Sequence, residues 1–127
     1  MKVVVDASTA FLMLAAPERV AEAFAAATSV LAPELIVAEL LNARWKVQRS
    51  GASAPSLDSI LGLFDRVQLV TGLPYAAETA ALAQRIDHPI YDCLYAVLAK
   101  RENAQLVTAD RRFAAKLANE IVDVVVI

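Results

Sequence analysis

The sequence predicts an α/β sandwich in which a mainly parallel central sheet is flanked by helices. Three observations carry that expectation. Short β-branched runs alternate with longer segments of helical pattern along the whole chain, the order that builds βαβ units. The last run, Val122 to Ile127, shows no polar alternation, as strands covered on both faces do not. The segment Tyr91 to Arg101 is apolar around its circumference, which places it as a central, buried helix.

Taken in order, Lys2 to Asp6 is a β-branched strand that ends on an acid, and a helical pattern from Ser8 to Ala16 follows at once. Pro17 interrupts it, and the alanine-rich stretch Glu18 to Ala27 has the propensity of a helix. Ser29 to Leu31 reads as a short strand. Pro33 stands where a helix accepts its first residue, since the missing N–H would have no partner there, and the pattern runs to Arg49 before stopping at Ser50-Gly51. Ala52 to Pro55 is linker-like but too short to separate domains. Leu57 to Arg66 is expected as a helix, Val67 to Val70 as a strand and Tyr75 to Ile86 as a helix. His88-Pro89 breaks the chain before the Tyr91 helix, which Asn103 ends. Gln105 to Thr108 is a strand, Arg111 to Asn119 a helix, and Val122 to Ile127 the final strand.

The 127 residues suit one domain, 1–127, and 58% hydrophobic against 20% charged residues calls for a packed core rather than disorder. The longest apolar runs, Ala10 to Ala16 and Cys93 to Ala99, are too short to span a bilayer, and Asp6 interrupts the start before a signal-peptide core can form. A soluble, cytoplasmic protein without a membrane partner is expected. A lone cysteine, Cys93, cannot form an internal disulfide and reads as a small core residue, and with one Cys and one His a zinc set is out of reach. A formal charge of −2 provides no global basic field, so a polyanion would have to be held locally. The three glycines form no phosphate-cradling array.

Four acids stand out. Asp6 and Asp110 close strands, and ligands of open parallel sheets bind beyond strand carboxyl ends, so both belong on the same edge. Asp92 opens the buried helix. Glu39 lies mid-helix among Ile36, Val37, Leu40 and Leu41, with Asn42 and Lys46 on its own face. Each has a plain alternative: Asp6 and Asp110 as helix caps, Asp92 as a first-turn acid complementing the helix dipole, Glu39 as a solvated surface acid. If the four converge, two unit charges ~4 Å apart repel by on the order of 4 kcal/mol at an effective dielectric of 20, and a cation must offset that. An all-oxygen set suits Mg²⁺ or Mn²⁺, which can activate a water and screen the charge on a phosphate.

Ser8, Thr9 and Thr108 stand beside these acids, as site residues or as ordinary turn bonds, Thr9 being read as structural. His88, in a break beside Pro89, reads as a cap or surface residue outside the chemistry. Lys46, Arg111 and Arg112 are the phosphate-contact candidates among otherwise solvated basic residues. Trp45, Tyr91 and Tyr95 read as core or partner-facing.

The segments V-V-V-D-A-S, P-E-L-I-V-A-E-L-L-N, Y-D-C-L-Y-A-V-L-A and L-V-T-A-D-R-R-F, in this order and at this spacing, resemble the PIN-domain nucleases, and most closely the VapC-type toxins of bacterial toxin–antitoxin pairs. The resemblance covers essentially the whole chain. It implies a PIN-like three-layer sandwich and a Mg²⁺- or Mn²⁺-dependent endoribonuclease, with Asp6, Glu39, Asp92 and Asp110 as the catalytic and metal-binding acids, RNA as substrate, and Ser8, Thr108 and Asn42 in support. Asp92 would be a direct ligand and Asp110 a more peripheral one. It also implies a homodimer and a cognate antitoxin lying in an apolar groove, for which Phe11 to Leu14 and Leu61 to Phe64 are available if they are not core. Some relatives carry a further acid shortly after the last one; Arg111, Arg112 and Phe113 stand there instead, which speaks against a second tightly held metal.

Two rivals remain. A hydrolase or phosphotransfer enzyme using Asp6 as nucleophile is disfavoured, since no second acid stands two residues on. A non-catalytic PIN-like adaptor would fold and bind a partner without cleaving anything.

Overall fold

Five strands, all parallel, form one sheet in the computed structural model, which describes residues 1–120 and 122–127. They are β1 (Lys2–Val5), β2 (Ser29–Pro33), β3 (Gln68–Val70), β4 (Gln105–Thr108) and β5 (Asp123–Val126), in the order β3-β2-β1-β4-β5. Helices α1 (Ala7–Ala15), α2 (Ala21–Phe24), α3 (Leu35–Arg49), α4 (Leu57–Phe64), α5 (Ala76–Ile86), α6 (Ile90–Arg101) and α7 (Arg111–Lys116) connect them. The expected α/β sandwich is therefore what forms, with a sheet that is wholly rather than mainly parallel.

Strand β1 explains its own sequence. It lies between β2 and β4, with Val4 in register with Leu31 on one side and Leu106 on the other, and Val3, Val4 and Val5 are fully buried. A strand with sheet on both edges and helices on both faces has no solvent side for a polar residue to occupy. Each such buried aliphatic side chain stabilises the fold by about 1.5–3 kcal/mol.

From β1 the chain steps to β2 and then β3, after which it crosses back to β4 and continues to β5. Right-handed crossovers put the helices of these two excursions on opposite faces: α1 packs on α3, and α5 on α6. The direction reverses between β1 and β4. The carboxyl ends of those two strands are the usual ligand position in open parallel sheets. Asp6 directly follows β1, and Asp110 lies two residues beyond β4.

Helix α6 supplies the floor. Cys93 and every residue from Tyr95 to Ala99 are buried, and the helix lies against β1, β2 and β4. Its first turn departs from the all-round apolar expectation, because Ile90 and Tyr91 are exposed. The break before it is real: Asp87 ends α5 in the left-handed region, at φ 51°. Asn103 (φ 51°) and Gly51 (φ 83°) adopt the same region just after α6 and α3, where the sequence placed the stops.

Three expectations fail for physical reasons. Strand β5 ends the sheet and none of its residues is fully buried, so its apolar run does not mark a strand covered on both faces. Pro33 is the last residue of β2, not the first of a helix. The β1–β2 ladder ends at Val4 and Leu31, so the absent N–H takes nothing from it, and on the other side Glu34 N carries on to Val70 O at 2.9 Å. Glu18 to Ala27 is not one helix but a 3₁₀ turn, Pro17–Arg19, followed by the single-turn α2. Of this stretch only Val20 is fully buried, and alanine propensity alone does not sustain so short a helix without an apolar face to pack. Among the described residues no helix is long and apolar enough to cross a membrane.

Candidate functional site

Asp6 is fixed from three sides. Its Oδ1 accepts Thr9 N at 2.9 Å and Ser8 Oγ at 2.7 Å, and its Oδ2 accepts the hydroxyl of Thr108, which leaves the residue 6% exposed. The helix-cap alternative is thus true of Asp6, yet the cap stands at the strand end where the sheet changes direction. Thr108 Oγ1 in turn accepts Asp110 N at 3.0 Å, and Ser8 Oγ accepts Ala109 N at 3.2 Å. These bonds tie the turn after β1 to the turn after β4. Thr9 stays structural, its hydroxyl donating to Val107 O at 2.8 Å.

Glu39 comes from α3, half-buried, and its Oε1 accepts the Tyr95 hydroxyl at 2.7 Å. Burial pushes its carboxyl above the usual range; the Tyr95 hydrogen bond opposes that, while the negative charges of Asp92 and Asp6 add to it. The charges of both Asp6 and Asp92 therefore reach Glu39. Tyr95 lies on the buried α6 with its phenol shifted upward, chiefly by burial and next by the bond to Glu39, so it remains a donor.

Asp92 lies in the first turn of α6, and one of its oxygens, Oδ2, is 2.7 Å from His88 Nε2. His88 is neither a cap nor a surface residue: its side chain is 11% exposed, and its ring stacks on Phe113 with centroids 4.7 Å apart. Burial first, and then the Asp92 charge, push the neighbouring Cys93 thiol up to about 11, which suits the core role read for it.

Asp110 stands apart. Its Oδ1 caps α7 by accepting Phe113 N at 3.0 Å, and the residue lines a polar cleft of about 230 Å³ with His88, Pro89, Arg112 and Lys116. Among the described residues no three acidic, histidine or cysteine side chains, as they are turned here, form a group that holds one ion.

The remaining candidates divide by location. Lys46 lines an apolar cleft of about 530 Å³ between α1 and α3, together with Ser8, Phe11, Leu12 and Val47. Asn42 and Arg111 are exposed. Phe11 to Leu14 are half-buried, and the Leu61 to Phe64 segment is divided, with Leu61 exposed and Leu63 buried. Trp45 is exposed, with the Arg49 guanidinium 5.3 Å from its ring.

Tyr95 and His88 were not among the site residues read from sequence. A tyrosine in an otherwise aliphatic buried helix needs a hydroxyl partner, and Tyr95 follows Asp92 by three residues, so a signal was there. His88 precedes Asp92 by four residues, but Pro89 between them hid a spacing that belongs to helices.

The family model described as the PIN domain matches residues 3–117. Several solved structures are similar over nearly the full length. A protein of Pyrobaculum aerophilum is 23% identical, with a TM-score of 0.72, covering 98% of this chain and 92% of that one. A toxin–antitoxin complex from Klebsiella pneumoniae contains a chain 14% identical, with a TM-score of 0.74 and coverage of 97% and 95%. DNA-bound VapBC from Salmonella typhimurium contains one 18% identical, with a TM-score of 0.69 and coverage of 98% and 97%. No curated protein matches the sequence.

Proposed function

Because the chain belongs to the PIN-domain family, whose model spans residues 3–117, we propose that it is a Mg²⁺- or Mn²⁺-dependent endoribonuclease of the VapC toxin type, silenced by a cognate antitoxin. The observation that carries the reading is the group Asp6, Glu39 and Asp92 at the point where the sheet reverses direction, with Glu39 shifted upward by burial and further by the charges of Asp92 and Asp6. Such a group is self-repelling, and a cation relieves it.

The donor chemistry fits a hard cation: every candidate ligand atom is a carboxylate oxygen. Glu39 Oε2 and Asp92 Oδ1 accept no side-chain hydrogen bond from the described residues, and Asp6 Oδ2, which accepts the Thr108 hydroxyl alone, keeps one acceptor site while Oδ1 is filled by Ser8 and Thr9. Mg²⁺ commonly takes one or two carboxylates and keeps several waters, so three ligands turned onto one point are not required. Asp6, Glu39 and Asp92 would hold the ion, with Asp110 peripheral. When bound, the ion supplies an activated water and screens the phosphate at the scissile bond.

The protein's own residues do the positioning. Ser8 and Thr108 fix the Asp6 carboxylate, and Tyr95 fixes Glu39. Lys46 lines the cleft that contains Ser8 and Arg112 the one that contains Asp110, and with Arg111 they would draw the phosphates of a single RNA strand toward the acids. The apolar cleft between α1 and α3 would take the antitoxin segment, as expected for a partner of the kind present in the toxin–antitoxin neighbours. In this reading 1–127 works as one soluble cytoplasmic domain and pairs as a homodimer.

A second reading, the non-catalytic adaptor, draws on the fact that Asp6, Glu39, Asp92 and Asp110 each already have a partner within the chain. Incubation with single-stranded RNA decides. Cleavage that needs Mn²⁺, stops with EDTA and disappears in Asp6→Ala and Asp92→Ala supports the nuclease; an intact, folded protein that cuts nothing in Mn²⁺ or Mg²⁺ supports the adaptor.

A further inference from the structure

We infer that His88 is a positioning residue that sets the orientation of the Asp92 carboxylate through its Nε2 hydrogen bond, an inference that rests on the metal-nuclease reading. Asp92 is a short acid in the first turn of a helix, with a side chain 35% exposed, and nothing in its own helix restrains it. His88, by contrast, is held at both ends. Its backbone N donates to Ala83 O at 3.1 Å behind the left-handed Asp87, and Pro89 follows. Its ring stacks on Phe113, which is 1% exposed and whose own N–H is fixed by Asp110 at 3.0 Å. The orientation of the imidazole therefore comes from rigid elements, and the 2.7 Å bond passes it to Asp92 Oδ2. Oδ1 is left without a hydrogen bond from any described side chain, and so keeps both lone pairs for a ligand.

Packing alone does not account for a histidine here. Nδ1 is buried and has no hydrogen-bond partner among the described residues. An unpartnered buried polar atom is a cost that a phenyl ring in the same stack would not carry. What histidine provides over phenylalanine at position 88 is the single bond to Asp92. The same geometry gives Asp110 a second effect: by fixing the first turn of α7 it fixes Phe113, and through the stack it fixes His88.

Partners that hydrogen-bond a metal ligand typically contribute about 10- to 100-fold in metal affinity. The test is Mn²⁺ binding by EPR titration on the whole chain, for wild type, His88→Phe, His88→Gln and Asp92→Ala, with thermal melting alongside. The expected result is that His88→Phe melts at or above wild type, binds Mn²⁺ about tenfold or more weakly, and loses kcat rather than KM on RNA. His88→Gln, which restores an N–H donor without the ring, should recover most of the Mn²⁺ affinity. If His88→Phe does not fold, His88→Leu against His88→Gln makes the same comparison of donor with no donor. Equal Mn²⁺ affinity with and without the donor overturns the inference and leaves the nuclease reading intact. A wild type whose Mn²⁺ binding is absent, or insensitive to Asp92→Ala, overturns both.

Discussion

The Tyr95 hydroxyl donates to Glu39 Oε1 at 2.7 Å, joining the buried helix α6 to a carboxyl that is shifted upward. The bond favours the charged form of Glu39 while burial and the charges of Asp92 and Asp6 disfavour it.

Tyr95→Phe should therefore raise the Glu39 pKa further, since the group loses the hydrogen bond that lowers it. A bond to a charged group contributes about 1.5–3 kcal/mol, so urea unfolding at neutral pH should show a loss of that order. NMR titration of the Glu39 side chain reads the direction, and a fall would contradict it.

Glu39→Gln tests the repulsion. A carboxyl whose folded-state pKa lies above its ordinary value of 4.5 contributes stability that is fully present below that value and is lost as pH rises through the folded-state pKa. Gln keeps a neutral acceptor for Tyr95 and has no such loss. Without divalent metal, the variant should melt above wild type at pH 7, with the gap closing as pH falls below the ordinary carboxylate range. Asp92→Asn should move the melting temperature the same way; a clear fall would assign Asp92 to the structure of α6 instead.

Thr108→Val removes a donor from Asp6 Oδ2 and an acceptor from Asp110 N at once. With Asp6 6% exposed, an underpaired buried carboxylate costs about 1–3 kcal/mol or more, and Thr108→Ser should restore most of it. Urea midpoints of the three proteins check this. An unchanged midpoint for the Val variant would mean that water replaces the hydroxyl freely.

Cys93 should be inert. Its thiol is pushed up to about 11 and lies on the buried face of α6, so iodoacetamide at pH 8 should label it only at the rate of unfolding. Rapid labelling of the native protein would contradict the packing of this helix.

How far the molecule was legible differs by element. The V-V-V run of β1 announces a doubly covered strand because three adjacent apolar residues leave no solvent face, and Gln105–Thr108 matches the strand read there residue for residue. Asp6 was legible for the same reason: an acid after such a strand can lie only at its end. The approach of Glu39 to it is read only through the family resemblance, because it depends on how α3 is placed against α1 and α6, a tertiary fact that no spacing encodes. Pro33 misled because proline at the end of a strand whose ladder has run out looks, in sequence, like proline at the start of a helix. His88 was misread because a break residue was assumed to face solvent, whereas the left-handed turn at Asp87 folds it back onto Phe113.

The claim on which the rest depends is that Asp6, Glu39 and Asp92 hold a divalent cation. Anomalous difference density from a crystal soaked in Mn²⁺ reads it directly. The account predicts one strong peak beyond the carboxyl ends of β1 and β4, about 2.0–2.3 Å from an oxygen of Asp92 and shared with Glu39 or Asp6. A crystal with no peak there, or with peaks only at other carboxylates, would contradict it.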